Sequence, residues 1–322
     1  MQTLLRSPLS VRAAGALPYA LALALAGLLG CHDTASHADR DAAAAPVVLR
    51  LVSYNVAGLP EGISSSHPSV NSALISPLLN AYSLALLQED FSYHADIISM
   101  TKHAYSAPVD RTQQGLGDGL SFLSDYPFSD FERVPWSDCF GVTDSGSDCL
   151  TPKGFSFTRL ELAAGISVDV YDVHADAGSA AGDQAARAKN LRQLAAAINL
   201  RSAGRAVVVA GDTNARYSKV GDNVGELVDA ANLTDVWVEQ VNGGARPMPG
   251  AAVPCSSTDE NDPKCERIDK LFYRNATDGS GVTLQPSDYT VEGASFVDAR
   301  GAQLSDHLPV AVTFRLTAQA KK

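Results

Sequence analysis

The clearest pattern of apolar and polar positions covers Val207–Ala210, which is followed by Gly211 and Asp212. An unbroken run of this kind, rich in β-branched residues, predicts a strand that is buried on both faces. The strand would deliver Asp212 and Asn214 to its end, and open sheets place their chemistry in the crevice beyond strand ends. A carboxylate beside a carboxamide suits a hydrated metal or a phosphate, whereas an Asx turn explains the same pair without function.

Apolar runs and alternating patterns predict further strands along the chain. They cover Val47–Asn55, Ser83–Leu87, Leu120–Leu123, Phe155–Glu161, Ile166–Val173, Arg267–Tyr273 and Leu308–Leu316. Polar residues stand at the ends of these strands or at their junctions with loops, namely Asn55, Glu89, His174, Asp269 and the Asp306-His307 pair. Each of them alone has a structural explanation, as a solvated strand end or as a satisfied core histidine.

A 3.6-residue period predicts an amphipathic helix over Gln184–Leu200, and a shorter helix is expected over Asn223–Ala231. The longer helix would turn Ala185, Ala188, Leu191, Leu194 and Ile198 inward and Arg187, Lys189 and Arg192 outward.

The first 30 residues predict a secretory signal rather than a part of the fold. Arg6 and Arg12 precede the apolar run Ala13–Leu29, which is too short for a membrane-spanning helix and is broken by Pro18. The residues before Cys31 resemble a bacterial lipobox, in which the cysteine is acylated. Leu29 departs from that motif, because a smaller residue is usual there, so secretion after cleavage elsewhere is the alternative.

Residues 31–46 are expected to form a flexible tether, and residues 47–318 a single domain. The mature protein is therefore expected outside the cytoplasm, as a cell-envelope lipoprotein or a secreted protein. A lipid on Cys31 would be its membrane anchor, since no transmembrane helix is expected in the mature chain.

The five cysteines support export. Apart from Cys31 they fall into two local pairs, Cys139/Cys149 and Cys255/Cys265, each enclosing a polar loop. Two disulfides in an oxidising compartment are the natural interpretation. A four-cysteine zinc site is the alternative, but the Cys-x-x-Cys spacing typical of such sites is missing.

A formal net charge of −11 counts against a protein that binds duplex nucleic acid. It does not exclude one, because a bound metal reverses the local field at a site.

The polar clusters, taken together and in order, resemble the endonuclease/exonuclease/phosphatase superfamily. The matching segments are SYNVAGLP, LLQED, DVHAD, VVAGDTNAR, RIDKLFY and LSDHLPV, and they extend over nearly all of the expected domain. The resemblance implies an α+β fold, a four-layer αββα sandwich of two mixed sheets flanked by helices. It also implies a site at the edge of the sheets.

Hydrolysis of a phosphodiester needs a metal at the phosphate oxygens, a base or positioning group for water, and donors for the developing charge. Glu89 suits Mg²⁺, with Mn²⁺ or another divalent metal as alternatives, and Asn55 and Asp306 are further candidate ligands. Asp212 would orient or deprotonate the water and Asn214 would fix the phosphate. His174 and His307 would flank the phosphate, and the resemblance places Asp269 behind His307. Whether Asp212 or His307 is the base stays open.

Asp148 and Lys153 are the candidate substrate-binding residues. Their segment resembles the Asp–Lys element of neutral sphingomyelinases, although an ordinary surface loop would explain the same two charges. The expected function is a metal-dependent phosphodiesterase with phospholipase C-like activity on a phospholipid, acting as a monomer. A secreted nuclease is the first alternative, and a non-catalytic surface-binding protein on this scaffold is the second.

Overall fold

A computed structural model describes residues 45–110, 116–142, 145–252 and 261–318. The strands in chain order are β1 (Val47–Asn55), β2 (Leu84–Gln88), β3 (Tyr105–Ser106), β4 (Ser121–Ser124), β5 (Phe128–Pro135), β6 (Gly154–Ala163), β7 (Ile166–His174), β8 (Val207–Asp212), β9 (Thr234–Asp235), β10 (Asp269–Arg274), β11 (Thr283–Val291) and β12 (Val310–Thr317). The α-helices are α1 (Pro68–Leu78), α2 (His94–Ile98), α3 (Ala181–Arg201), α4 (Val224–Ala230) and α5 (Val236–Gln240). Two short 3₁₀ helices cover Leu79–Ala81 and Ser145–Leu150.

The strands form two six-stranded mixed sheets. Sheet A has the order β11-β12-β1-β2-β4-β3 and sheet B the order β5-β6-β7-β8-β10-β9. Within each sheet one central pair is parallel, β1 with β2 and β7 with β8, and the other pairs are antiparallel. Each predicted strand is present to within a few residues of its expected bounds.

Three apolar clusters hold four layers together. The inner faces of the sheets meet in one cluster, which includes Leu51 and Leu86 of sheet A and Val170 and Val208 of sheet B. The outer face of sheet B packs against α3, α4 and α5, and the outer face of sheet A packs against α1. The predicted αββα sandwich is therefore confirmed.

Both sheets also have edge strands that the pattern of apolar residues did not predict. β5 and β11 each lie at one end of a sheet, and most of their side chains are exposed or half-buried. An edge strand of this kind lacks the buried alternating face that produces a recognisable pattern.

The long helix α3 is confirmed, but the predicted orientation of two of its residues is wrong. Ala185 is exposed, and Arg187, predicted to face solvent, is completely buried. The Arg187 guanidinium pairs with Asp222 at 2.8 Å and donates to the carbonyl oxygens of Asp176 and Gly178 at 3.0 and 3.1 Å. Arg187 thereby fixes the loop that follows β7.

The disulfide Cys139–Cys149 is confirmed. Cys265 is also disulfide-bonded, but Cys255 lies outside the described residues, and the pairing of these two stays a prediction. Cys31 and the expected signal segment lie outside the described residues as well. Within the described ranges, no helix has both the length and the apolar character needed to cross a bilayer.

From the buried pair of Arg187 and Asp222 we expect a large contribution to the free energy of unfolding. Arg187→Ala would leave Asp222 buried without its partner, and such a loss typically costs about 3–5 kcal/mol. Arg192→Ala is the matched control, because its pair with Glu226 is more than half exposed on both sides, and such pairs contribute under about 1 kcal/mol. Urea unfolding of the oxidised protein measures both, and equal losses in the two variants would contradict the structural role of Arg187.

Candidate active site at the shared edge of the two sheets

Strand direction brings the predicted polar residues to one edge of the sandwich. Asn55 ends β1, and Glu89 directly follows β2, which runs parallel to β1. His174 and Asp212 end the parallel strands β7 and β8 and lie opposite each other in register. Asp269 begins β10, which is antiparallel to β8, and pairs with Asp212. The topology therefore places all five side chains at one end of both sheets.

His307 joins the same edge from the segment before β12. That strand is antiparallel to β1, and Val310 at its start pairs with Ser53 near the end of β1. The Ser305 hydroxyl donates to the Asn55 carbonyl at 2.8 Å and accepts from the His307 backbone N–H at 3.2 Å. Ser305 thus positions His307 against β1. Ser305 lies within the matching segment LSDHLPV, where a lone serine before Asp306 gives no sign of this positioning role.

The Asp212 carboxylate is the centre of the site. Its Oδ2 accepts a hydrogen bond from Asn55 Nδ2 at 3.2 Å and lies 3.7 Å from His174 Nε2 and 3.8 Å from His307 Nε2. Its Oδ1 accepts from the backbone N–H of Asn214 at 2.9 Å. Two imidazoles and a carboxamide therefore converge on one buried carboxylate.

Glu89 lies on the other side of Asn55, which donates from Nδ2 to Glu89 Oε1 at 3.1 Å. The same oxygen is 3.6 Å from His174 Nε2. Glu89 has a left-handed backbone with φ of 58°, which is strained for a residue other than glycine and is most often retained at functional sites. A Cβ at Gly58 would lie 2.4 Å from the Glu89 carbonyl oxygen, so this turn requires glycine there.

His307 and Asp269 form a charged pair. His307 Nδ1 lies 3.1 and 3.0 Å from the two carboxylate oxygens of Asp269. Burial by itself lowers the pKa of His307, but Asp269 and Asp212 outweigh it and raise the pKa to about 10. The ring is therefore an imidazolium at neutral pH, with Nε2–H directed toward the centre of the site.

The second histidine has the opposite character. His174 is completely buried, and neither of its ring nitrogens has a hydrogen-bond partner among the described residues. Burial lowers the pKa of His174 well below its usual value, and the positive charges of Lys153 and His307 lower it further. His174 is therefore a neutral imidazole at neutral pH.

Burial also shifts the central carboxylate. It raises the pKa of Asp212 to about 6, Asp269 raises it as well, and His307 and Lys153 oppose the shift. Asp212 is therefore ionised at neutral pH, close to the range that suits a general base.

The donor set fits a divalent cation. Atoms of Asp212, Asp269 and His307 lie within 4.8 Å of one another, and Asn55 donates to both Asp212 and Glu89. His307 as an imidazolium has no free lone pair, so the candidate donors are the oxygens of the carboxylates and of Asn55. Within the described part of the chain, the ion-pair partners of Glu89, Asp212 and Asp269 are histidines alone, so negative charge is in excess. Oxygen donors with excess negative charge are what Mg²⁺ prefers.

Asp306 stands apart from this group. It is exposed, and its carboxylate accepts hydrogen bonds from the Ser65 and Ser305 hydroxyls. Like Asn55 and Glu89, it is absent from the convergent donor set of Asp212, Asp269 and His307. Its expected role as a metal ligand stays a prediction.

The predicted substrate pair is an ion pair beside the site. Lys153 Nζ contacts Asp148 Oδ1, and both side chains are at least nine-tenths buried. Asp148 Oδ2 also accepts from the backbone N–H of Ala177 at 2.9 Å, which joins this loop to the segment after His174. The positive charge of Lys153 lowers the pKa of both His174 and Asp212. Lys153 therefore adds positive charge near both residues.

Comparisons with known proteins find similar sequences. A model described as endonuclease/exonuclease/phosphatase family 2 matches residues 66–241. A sphingomyelinase of Mycobacterium bovis is 36% identical over 276 residues, which cover 83% of this chain and 53% of that protein. A Mycobacterium tuberculosis sphingomyelinase matches with the same identity and coverage. The chain thus spans about half the length of these relatives.

Solved structures share the fold. Sphingomyelinase C from Streptomyces griseocarneus matches with a TM-score of 0.56 and 21% identity, over 83% of this chain and 99% of that one. A Staphylococcus aureus β toxin mutant with bound magnesium ions matches with a TM-score of 0.55 and 18% identity, over 82% and 98% of the two chains. At these identities the likeness establishes the αββα architecture.

The pair of Asp269 and His307 predicts a titration shift. In metal-free protein, Asp269→Asn removes the negative charge that stabilises the imidazolium, so the pKa of His307 falls below the wild-type value of about 10. Asp306→Asn is the matched control and lowers the pKa less, because the charge of Asp306 affects His307 least among the carboxylates at the site. NMR titration of the ring protons measures both, and an unchanged pKa in Asp269→Asn would refute the pairing.

Proposed function

Because this chain belongs to the endonuclease/exonuclease/phosphatase family, we propose that it is an exported, divalent-metal-dependent phosphodiesterase that hydrolyses a phospholipid of the sphingomyelin class. The observation that carries the proposal is the convergence of His174 and His307 on one oxygen of Asp212. A carboxylate that is ionised at neutral pH beside a protonated imidazole supplies a base and an acid within one site.

In the proposed reaction, Asp212 and His307 carry out the proton transfers, and His174 and Asn214 bind the phosphate. Asp212 orients the attacking water and accepts its proton. His307, protonated and held by Asp269, donates a proton from Nε2 to the leaving oxygen. His174, a neutral imidazole, donates a hydrogen bond to a phosphate oxygen. Asn214 is held beside Asp212 by its backbone N–H and donates from Nδ2 to the Ala175 carbonyl at 3.1 Å, which keeps it at the phosphate position.

Glu89 and Asn55 are the residues proposed to hold the metal. Glu89 supplies a hard anionic oxygen, and a change of the Asn55 rotamer or amide orientation would supply a neutral one that does not repel the phosphate. When bound, Mg²⁺, or Mn²⁺ in its place, neutralises charge on the phosphate oxygens. The magnesium ions bound to the β toxin relative support this choice of metal.

A phospholipid is favoured over a nucleic acid on three grounds. The relatives at 36% identity are sphingomyelinases, and the segment of Asp148 and Lys153 resembles the Asp–Lys element of neutral sphingomyelinases. The net charge of −11 also weighs against a polyanionic duplex as substrate.

Export and membrane attachment complete the proposal. The disulfide Cys139–Cys149 supports an oxidising compartment. The signal segment, the lipid on Cys31 and the monomeric state rest on the sequence pattern.

A substrate panel tests the proposal directly. Sphingomyelin, phosphatidylcholine, plasmid DNA and RNA are incubated with the protein and Mg²⁺, and each reaction is repeated with excess EDTA. We expect cleavage of sphingomyelin that EDTA abolishes. Cleavage of DNA or RNA without lipid cleavage would favour the nuclease alternative, and no turnover of any phosphoester would favour a non-catalytic binding protein.

Two variants separate chemistry from substrate recognition. His307→Ala removes an acid–base group, so turnover should fall about 10²–10⁴-fold on every phosphodiester, including bis-p-nitrophenyl phosphate. Lys153→Ala should reduce activity most on the preferred lipid. If Lys153→Ala loses activity equally on all substrates, Lys153 contributes to the chemical step that all of them share. If Lys153→Ala hydrolyses the lipid at the wild-type rate, Lys153 has no role in recognising it.

A further inference from the structure

A cavity of about 190 Å³ lies beside the proposed active site. Its lining includes Pro135, Trp136, Asp148, Pro152, Lys153 and Asp176, together with the disulfide Cys139–Cys149. Trp136 connects it to the site, because the indole N–H donates to the carbonyl oxygen of His174 at 2.7 Å. The cavity therefore adjoins the position proposed for the phosphate.

Asp176 is the distinctive group in the lining. It is only 1% exposed, and its Oδ2 accepts from the backbone N–H of Phe140 at 2.9 Å. Its Oδ1 is buried, and no donor among the described residues forms a hydrogen bond with it. The backbone of Asp176 is fixed by Asn190, whose side-chain oxygen accepts from its N–H at 3.0 Å, and by Arg187. Asp176 is therefore a rigidly held carboxylate in the lining of the cavity.

The lining contains one more carboxylate than cations. Asp148 is paired with Lys153, and the ionised form of Asp176 adds a second carboxylate without a second cation. Burial, followed by the charge of Asp148, raises the pKa of Asp176 to about 7, so a positive group in the cavity would favour the ionised carboxylate.

The remaining walls suit a bulky, weakly hydrated cation. Trp136, the two prolines and the disulfide present aromatic and apolar surface. An indole ring attracts a methylated ammonium through cation–π interaction and forms part of many quaternary ammonium sites. A metal ion would instead require several oxygen ligands around it.

We propose that this cavity binds the quaternary ammonium group of a phosphocholine head group, with Asp176 supplying the charge and Trp136 the aromatic wall. The inference rests on the proposed function, because it assumes that the phosphate lies at Asp212 and His307. The cavity is smaller than the roughly 300–1,000 Å³ typical of pockets for drug-sized ligands, which suits a head group rather than a whole lipid.

A binding measurement tests the cavity without any turnover. Tetramethylammonium chloride is titrated into wild-type protein by calorimetry, with sodium chloride at equal ionic strength as the reference. We expect saturable binding of tetramethylammonium that weakens about tenfold in Asp176→Asn. Asp138→Asn is the matched control, since it removes a nearby exposed carboxylate paired with Lys189 outside the cavity, and its binding should equal that of wild type. No saturable binding, or equal binding in Asp176→Asn, would overturn the inference.

A kinetic measurement tests the same cavity on lipids. Sphingomyelin and ceramide phosphoethanolamine are hydrolysed in identical mixed micelles, and the ratio of their kcat/KM values is the readout. We expect wild type to favour the choline lipid and Asp176→Asn to lose about tenfold in that ratio. Trp136→Leu should lose the preference and Trp136→Phe should retain it, which provides a test if Asp176→Asn does not fold. An unchanged ratio in Asp176→Asn and Trp136→Leu would overturn the inference.

The two measurements separate the failure of the inference from that of the proposed function. Lipid hydrolysis without head-group preference and without tetramethylammonium binding contradicts the cavity assignment alone. Tetramethylammonium binding without hydrolysis of any lipid supports the cavity and contradicts the proposed function.

Discussion

The contact between Asn55 and Asp212 is the interaction on which the site depends, because it joins the end of β1 in sheet A to the end of β8 in sheet B. It forms only if the two sheets pack in one alignment, with the ends of their parallel strands at the same edge. A second polar contact between the sheets, from Gln88 Nε2 to Asp172 Oδ1 at 2.6 Å, supports that alignment from the interior. Apolar packing holds the sheets together, but it is non-directional. These hydrogen bonds fix how one sheet is aligned on the other.

Burial then gives similar residues different chemistry. His174 and His307 face the same carboxylate oxygen, yet the first is neutral because it is buried without an anionic hydrogen-bond partner, and the second is charged because Asp269 binds its Nδ1. The same low-polarity surroundings raise the pKa of Asp212 toward neutrality. Residues at strand ends and in the segment before β12 therefore differ in protonation state within one site.

The sequence was most informative where burial leaves a periodic pattern. The apolar run of β8 and the alternation in β1 located the core strands, and polar residues at strand ends then located Asn55, Glu89, His174, Asp212 and Asp269. The edge strands β5 and β11 were not predicted, because their half-exposed side chains leave no such pattern. Arg187 was assigned to the wrong face because a charged residue is normally solvated, and only the tertiary structure supplies Asp222 as a buried partner. The Asp176 cavity likewise depends on loops that are distant in sequence.

Magnesium binding measured together with turnover is the most direct test of a metal-dependent site at this edge of the sandwich. Calorimetric titration of Mg²⁺ into wild type and Glu89→Gln, with sphingomyelin hydrolysis followed in the same samples, shows whether metal binding and catalysis share this edge. We expect saturable Mg²⁺ binding in wild type, with hydrolysis rising in parallel, and loss of both in Glu89→Gln. Unchanged Mg²⁺ binding in Glu89→Gln, or full hydrolysis without a divalent metal, would contradict the assignment of Glu89 as a metal ligand in catalysis.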